Sequence, residues 1–182
     1  MEYSPASTVS ADVLRRAVAI RLACFDVDGT LTDGRLYFDG AGGEAKAFHV
    51  SDGQGLVLLR HYGIEVAFIT ARHGQAAERR AAELGVRMIA GAKDKLAQVQ
   101  RLCEERGLGL EQAAFMGDDL PDLRVMARVG LAVAPANAHP WIAAQAHWRT
   151  ARAGGEGAAR ELCDLLLDAQ GHFDALLQEW SA

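Results

Sequence analysis

Residues 22–30 read LACFDVDGT. Four apolar residues in a row are too few for a helix, and they run without alternation into the acids Asp26 and Asp28. A strand buried on both faces, as in a parallel sheet, reads this way. Similar short runs recur at 66–69, 86–89, 113–116 and 131–133. Stretches with helical patterning separate them, at 55–62, 75–84, 95–106 and 120–127, with another at 11–20 ahead of the first strand. Gly63, Gly85 and Gly107 stand just past three of these, where a left-handed cap is wanted. The alternation predicts an α/β fold built on a doubly wound parallel sheet.

Two segments interrupt that rhythm. Residues 35–50 alternate apolar and polar side chains around Gly40-Ala-Gly-Gly43, the pattern of a β-hairpin. The tail, 151–182, opens on ARAGGEG and continues into two short amphipathic helices separated by Gly171. Its glycines predict a mobile strip, because ordering them is entropically expensive. Residues 1–10 read as a loose polar arm. No internal repeat occurs, so the 182 residues are expected to form one domain, 1–182, with hairpin and tail as additions.

Composition narrows the function. Half the residues are hydrophobic, and 19 Lys and Arg face 24 Asp and Glu for a net charge of −5. Broad attraction to nucleic acid or to an anionic membrane is excluded on that balance. No apolar run approaches the roughly 18 residues of a spanning helix, and the first residues lack a basic-then-apolar signal pattern. Cys24, Cys103 and Cys163 lie far apart, without the spacing of a zinc or redox site. The expectation is a soluble, cytoplasmic protein.

Polar residues gather at the strand ends, where open α/β sheets bind ligands. Asp26 and Asp28, two apart, project to one side of the first strand's end. Thr70-Ala71-Arg72 follows the second strand, Lys95 opens the helix after the third, and Gly117-Asp118-Asp119 follows the fourth. Neighbouring carboxylates repel unless a cation or proton intervenes. Hard oxygen ligands in this number suit Mg²⁺, which leaves places for water and phosphate. Thr70, Lys95, Arg72 and the ion would together neutralise a phosphoryl group. A single Asp after a strand is more often a turn former or cap, and Asp119 has that reading as the cap of the Leu120 helix. Four such features in order resist it.

FDVDGTLTDG (25–34), ITAR (69–72), KDKL (93–96) and GDDLPD (117–122) resemble the four ordered motifs of the haloacid dehalogenase superfamily of phosphohydrolases. AFHVSDGQGL (47–56), ERRAAELGV (78–86) and GGEGAARE (154–161) extend the resemblance to a small, cap-less branch acting on sugar-acid phosphates. Ala71 stands where that branch usually carries glycine.

The resemblance implies a phosphatase whose nucleophile is Asp26, forming an aspartyl-phosphate, with Asp28 as general acid and base. Asp28 is then expected to hold its proton more firmly than Asp26. Mg²⁺ would be held by Asp26, the Asp28 backbone carbonyl and Asp118. Thr70 and Lys95 would hold the transferring oxygens, with Asp119 and Asp122 orienting the metal site. Arg72 and Arg80 are candidates for a substrate carboxylate, and Arg160 for a tail that supplies the missing cap to a neighbouring subunit. The implied substrate is an eight-carbon 3-deoxy-octulosonate 8-phosphate, ahead of a nine-carbon sialic-type 9-phosphate. A regulatory relative without catalysis is the competing class. The apolar hairpin predicts a homotetramer, with four hairpins closing on one another.

Overall fold

In the computed structural model, which describes residues 3–181, β1 (Leu22–Phe25) occupies the middle of a six-stranded sheet. It pairs in parallel with β4 (Glu65–Ile69) on one side and β6 (Ala113–Met116) on the other. β5 (Arg87–Ile89) lies outside β4, and β7 (Leu131–Ala134) and β8 (Trp148–Arg149) lie outside β6, all parallel. The order β5-β4-β1-β6-β7-β8 is that of a doubly wound sheet, whose winding reverses between β1 and β6.

Alternate residues of the strands feed two apolar cores. Ala23, Phe25, Val66, Phe68, Met116 and Val133 face one side. That side is covered by α1 (Ala11–Ala19), α2 (Val50–His61), α3 (Gln75–Glu83) and α7 (Ala158–Ala169). Leu22, Cys24, Ile69, Phe115 and Ala134 face the other, under α4 (Lys95–Glu104), α5 (Leu123–Met126) and α6 (Pro140–Gln145). No helix among the described residues is long and apolar enough to cross a membrane.

The structure corrects four expectations. α2 starts at Val50, five residues before the expected start, with the His49 ring accepting from the Ser51 amide at 3.2 Å. Gly53 and Gly55 look like helix breakers, yet they sit inside α2 because larger residues press on it. A Cβ at Gly53 would overlap the Arg80 guanidinium, and one at Gly55 would crowd Cys163. The hairpin is correspondingly shorter than 35–50. Only β2 (Tyr37–Phe38) and β3 (Glu44–Ala45) pair, around a turn in which Asp39 accepts from the amides of Ala41 and Gly43.

The N-terminal arm is not loose. Pro5–Thr8 forms a 3₁₀ turn, and Asp168 of α7 accepts from the Ser4 hydroxyl and the Ala6 amide at 2.7 and 2.9 Å. The glycine strip is not a free strand of chain either. The Gly155 amide donates to the Thr30 carbonyl at 3.2 Å, and the Gly154 amide to the Asn137 side chain at 2.7 Å. The last helix is α8 (Phe173–Ser181).

Candidate active site

Asp26 leaves the end of β1 and Asp118 lies just past the end of β6, so the reversal of winding sets the two acids face to face. Oxygens of Asp26, Asp118 and Asp122 fall within 4.8 Å of one another. The turn between them depends on Gly29, whose φ is +90° and whose absent Cβ would overlap the Asp118 carboxylate. That turn lets the Thr30 hydroxyl donate to Asp118 at 2.9 Å.

Lys95 is the first residue of α4, which Asp94 caps by accepting from the Ala97 amide at 3.1 Å. Its buried ammonium donates to Asp26 and to Asp122, each at 2.6 Å. Asp122 also accepts from the amides of Asp118 and Asp119, at 3.1 and 3.4 Å. It thus steadies both the lysine and the loop that carries Asp118. Asp119 itself caps the turn Leu120–Asp122, accepting from the Leu120 amide at 2.8 Å.

Three carboxylates around one ammonium leave the site short of positive charge. Burial, reinforced by Asp122, pushes Asp26 up to about 7 against the pull of Lys95. Burial likewise pushes Asp118 up to about 6, opposed by the Thr30 hydrogen bond. Burial also works against the Lys95 ammonium, but the charges of Asp26 and Asp122 outweigh it and raise its pKa. Asp26 is the acid set among apolar residues and other carboxylates, whereas Asp28 faces the cations of Lys46 and Arg72.

These groups line a cavity of about 330 Å³, with Thr70, Ala71 and Arg72 along one wall. Thr70 is buried, and its hydroxyl accepts from the Arg72 amide at 3.2 Å. Ala71 fits in glycine's place because no non-glycine among the described residues needs a positive φ. The Arg72 guanidinium lies 3.7 Å from Asp28 and 2.6 Å from Glu44.

Two of the residues singled out in the sequence are not part of this cavity. Arg80 lies along α2 against Gly53, bonded to Glu83 at 2.9 Å, and lines a separate small cavity with Asp52 and Phe48. Arg160 pairs with Asp164 at 2.6 Å, while its amide donates to Asp52 at 2.8 Å. The Arg160 side chain lines a different cavity, together with Tyr3, Asp164 and Phe173.

Three contributors escape a reading of the sequence. Lys46 and Glu44 reach the crevice from the hairpin, and Lys46 pairs with Asp28 and, at 3.0 Å, with Glu44. Asn137 bridges the loop after β1 and the tail, donating to the Gly29 carbonyl at 3.1 Å while accepting from Gly154. In sequence, each resembles a solvated charge or a turn residue.

An acid pair at the switch point, a buried lysine and a threonine define a phosphoryl-transfer site. Residues 86–162 match the model of the haloacid dehalogenase-like hydrolases. The chain is 47% identical over 173 residues to the Escherichia coli (strain K12) 3-deoxy-D-manno-octulosonate 8-phosphate phosphatase KdsC, covering 94% of this chain and 90% of that protein. Its fold superposes on a hypothetical protein of Xanthomonas campestris with a TM-score of 0.98 and 58% identity over 100% of both chains. It also superposes on the Moraxella catarrhalis 3-deoxy-D-manno-octulosonate 8-phosphate phosphatase in complex with magnesium, phosphate and KDO. There the TM-score is 0.92 and the identity 39%, over 94% of this chain and 99% of that one. The chain belongs to the 3-deoxy-D-manno-octulosonate 8-phosphate phosphatase family of haloacid dehalogenase-like hydrolases.

Proposed function

We propose that the protein is a Mg²⁺-dependent phosphomonoesterase that hydrolyses 3-deoxy-D-manno-octulosonate 8-phosphate to the free sugar acid and phosphate. The observation that carries this is the meeting of Asp26, Asp118 and Lys95 at the switch-point crevice of a chain from that family.

The residues fit the metal. Asp26 and Asp118 offer hard carboxylate oxygens, and burial, which raises both pKa values, is a cost to their charged forms that a cation held between them would offset. Both carboxylates and the Asp28 backbone carbonyl would hold the ion. Bound there, Mg²⁺ supplies charge that neutralises the acids and the transferring phosphoryl oxygens.

Asp26 attacks phosphorus to form an aspartyl-phosphate as the bond to the sugar oxygen breaks. Asp28 gives its proton to that leaving oxygen, then takes one from the water that opens the intermediate. Lys95 and Thr70 receive the phosphoryl oxygens, and Asp122 keeps Lys95 aimed. Arg72, which lines the cavity, would take the sugar-acid carboxylate. Arg80 and Arg160 have no part in their own chain's crevice and would meet substrate only across a subunit boundary.

In this reading residues 1–182 work as one domain, in the cytoplasm, in lipopolysaccharide precursor synthesis. The partners are the small phosphorylated sugar acid and other copies of the chain in a homotetramer. Phosphate release from the eight-carbon substrate, with and without EDTA, tests the activity. Asp26→Asn should abolish turnover without unfolding the protein, and appreciable turnover in that variant would overturn the mechanism. A higher kcat/KM on a nine-carbon 9-phosphate would overturn the substrate.

A further inference from the structure

Lys46 is the most deeply buried cation beside the crevice that the proposed chemistry leaves without a task. Its side chain is 2% exposed, although it stems from a hairpin that is otherwise open to water. It pairs with the Asp28 carboxylate. It also lies 3.0 Å from Glu44, one of whose oxygens is buried without a well-formed hydrogen bond. Glu44 in turn holds Arg72 at 2.6 Å. Asp28, Lys46, Glu44 and Arg72 therefore alternate in charge along a chain that ties the end of β1 to the base of the hairpin and to the loop after β4.

A carboxylate that must deliver a proton to one particular oxygen has to be held in one rotamer, and misplacement by about 1 Å can cost about 100-fold. Among the described residues, Asp28 accepts no side-chain hydrogen bond from the wound sheet's own helices. Its side-chain partners are Lys46 and, at 3.7 Å, Arg72. The second ion pair, to Glu44, fixes where the buried ammonium stands.

We propose that Lys46, anchored by Glu44, is a positioning residue for Asp28, holding its carboxyl toward the leaving oxygen so that the hairpin is part of the proton-transfer apparatus. This rests on the phosphatase reading above. The step it serves is the breaking of the P–O bond to the sugar. The bond electrons stay on the sugar oxygen, the Asp28 proton moves onto that oxygen, and the products are an alcohol, the Asp28 carboxylate and the Asp26 aspartyl-phosphate.

Dependence on the leaving group separates this from a purely structural role. An alkoxide needs the proton, whereas p-nitrophenolate leaves without one. Lys46→Met should lower kcat on the sugar-acid phosphate about 100-fold but on p-nitrophenyl phosphate less than about 5-fold. Lys46→Arg should recover most of the loss. Glu44→Gln, which keeps the ammonium but loosens its anchor, should give a smaller split of the same sign and covers the case in which Lys46→Met fails to fold. Equal losses on both substrates, or no loss on either, would overturn the proposal. If the wild type cleaves p-nitrophenyl phosphate but not the sugar-acid phosphate, the substrate reading has failed instead. Glycerol phosphate, another alkyl ester, then gives the split.

Discussion

The hairpin and the glycine strip both border the crevice, and both lie outside the wound sheet. The hairpin has two paired residues per strand, with Phe38 67% exposed and Tyr37 half-exposed beside it. The strip has no regular structure, yet its amides donate to Thr30 and Asn137, and Gly154 is buried against the Gly29 carbonyl. Apolar composition has not buried the one, and glycine has not loosened the other. Where the backbone amides find acceptors decides how firmly a segment is held. The missing side chains of the strip are what allow it to approach the loop after β1 so closely.

The severest test of this contrast is Gly154→Ala. The new methyl would overlap the Gly29 carbonyl, and either the strip or the loop after β1 must move. We expect a loss of about 3 kcal/mol in stability, from chemical denaturation, and a drop in kcat of about 100-fold. A variant with normal stability and turnover would mean that the strip is held no better than the hairpin.

The hairpin should respond in the opposite sense. Phe38→Asp meets no packed neighbour in the chain, so thermal stability of the subunit should stay within about 2 °C of the wild type. Light scattering should show the proposed homotetramer reduced to smaller species, because the apolar outer face is what the copies would share. An unchanged tetramer mass would move the assembly surface elsewhere.

A pH series on EDTA-treated protein probes the crevice that both segments flank. Asp26 and Asp118, raised to about 7 and about 6, bind protons in the folded chain that the unfolded chain, with ordinary carboxyls near 3.8, has already released. Stability contributed by these groups is present below about pH 4 and is lost as pH rises toward 7. Excess Mg²⁺ should flatten that fall. Stability that instead rises over this interval in the metal-free protein would contradict the charge shortage described for the cluster.

Arg160→Ala should do least. Its partner Asp164 lies one turn along the same helix, a pair worth about 1 kcal/mol. The guanidinium faces away from the crevice of its own chain, so KM and kcat should stay within about twofold. A tenfold rise in KM would show that it reaches a neighbouring subunit.

The crevice is legible in the sequence because each acid follows directly on the strand that aims it. Once 22–25 and 113–116 read as parallel strands, Asp26 and Asp118 must emerge at the same edge, and Lys95 and Thr70 follow by the same logic. Lys46 is illegible for the converse reason. It sits in GGEAKAF, the end of the turn and second arm of the expected hairpin, where a lysine reads as a solvated charge, and only the approach of the hairpin to Asp28 buries its side chain. Gly53 and Gly55 mislead locally because their reason lies on other helices, in Arg80 and Cys163. The same holds for the arm at 3–8, whose acceptor on Asp168 is far along the chain.

α7 is the next-to-last element of the chain, yet Leu162, Leu165, Leu166 and Leu167 are fully buried in one of the two cores and pack there with α1 and α2. A chain growing from its N-terminus completes all six strands of the sheet by Arg149, before any of that cover exists. One face of the sheet, covered until then by α1, α2 and α3 alone, waits for a helix whose partners were made long before it. Contacts so distant in sequence close slowly, and a sheet left waiting with a partly open face is the species most exposed to aggregation. The final stretch of this chain is thus the keystone of its folding. Synthesis stopped just after β8 would leave a nearly whole catalytic rim on a body unable to stay in solution.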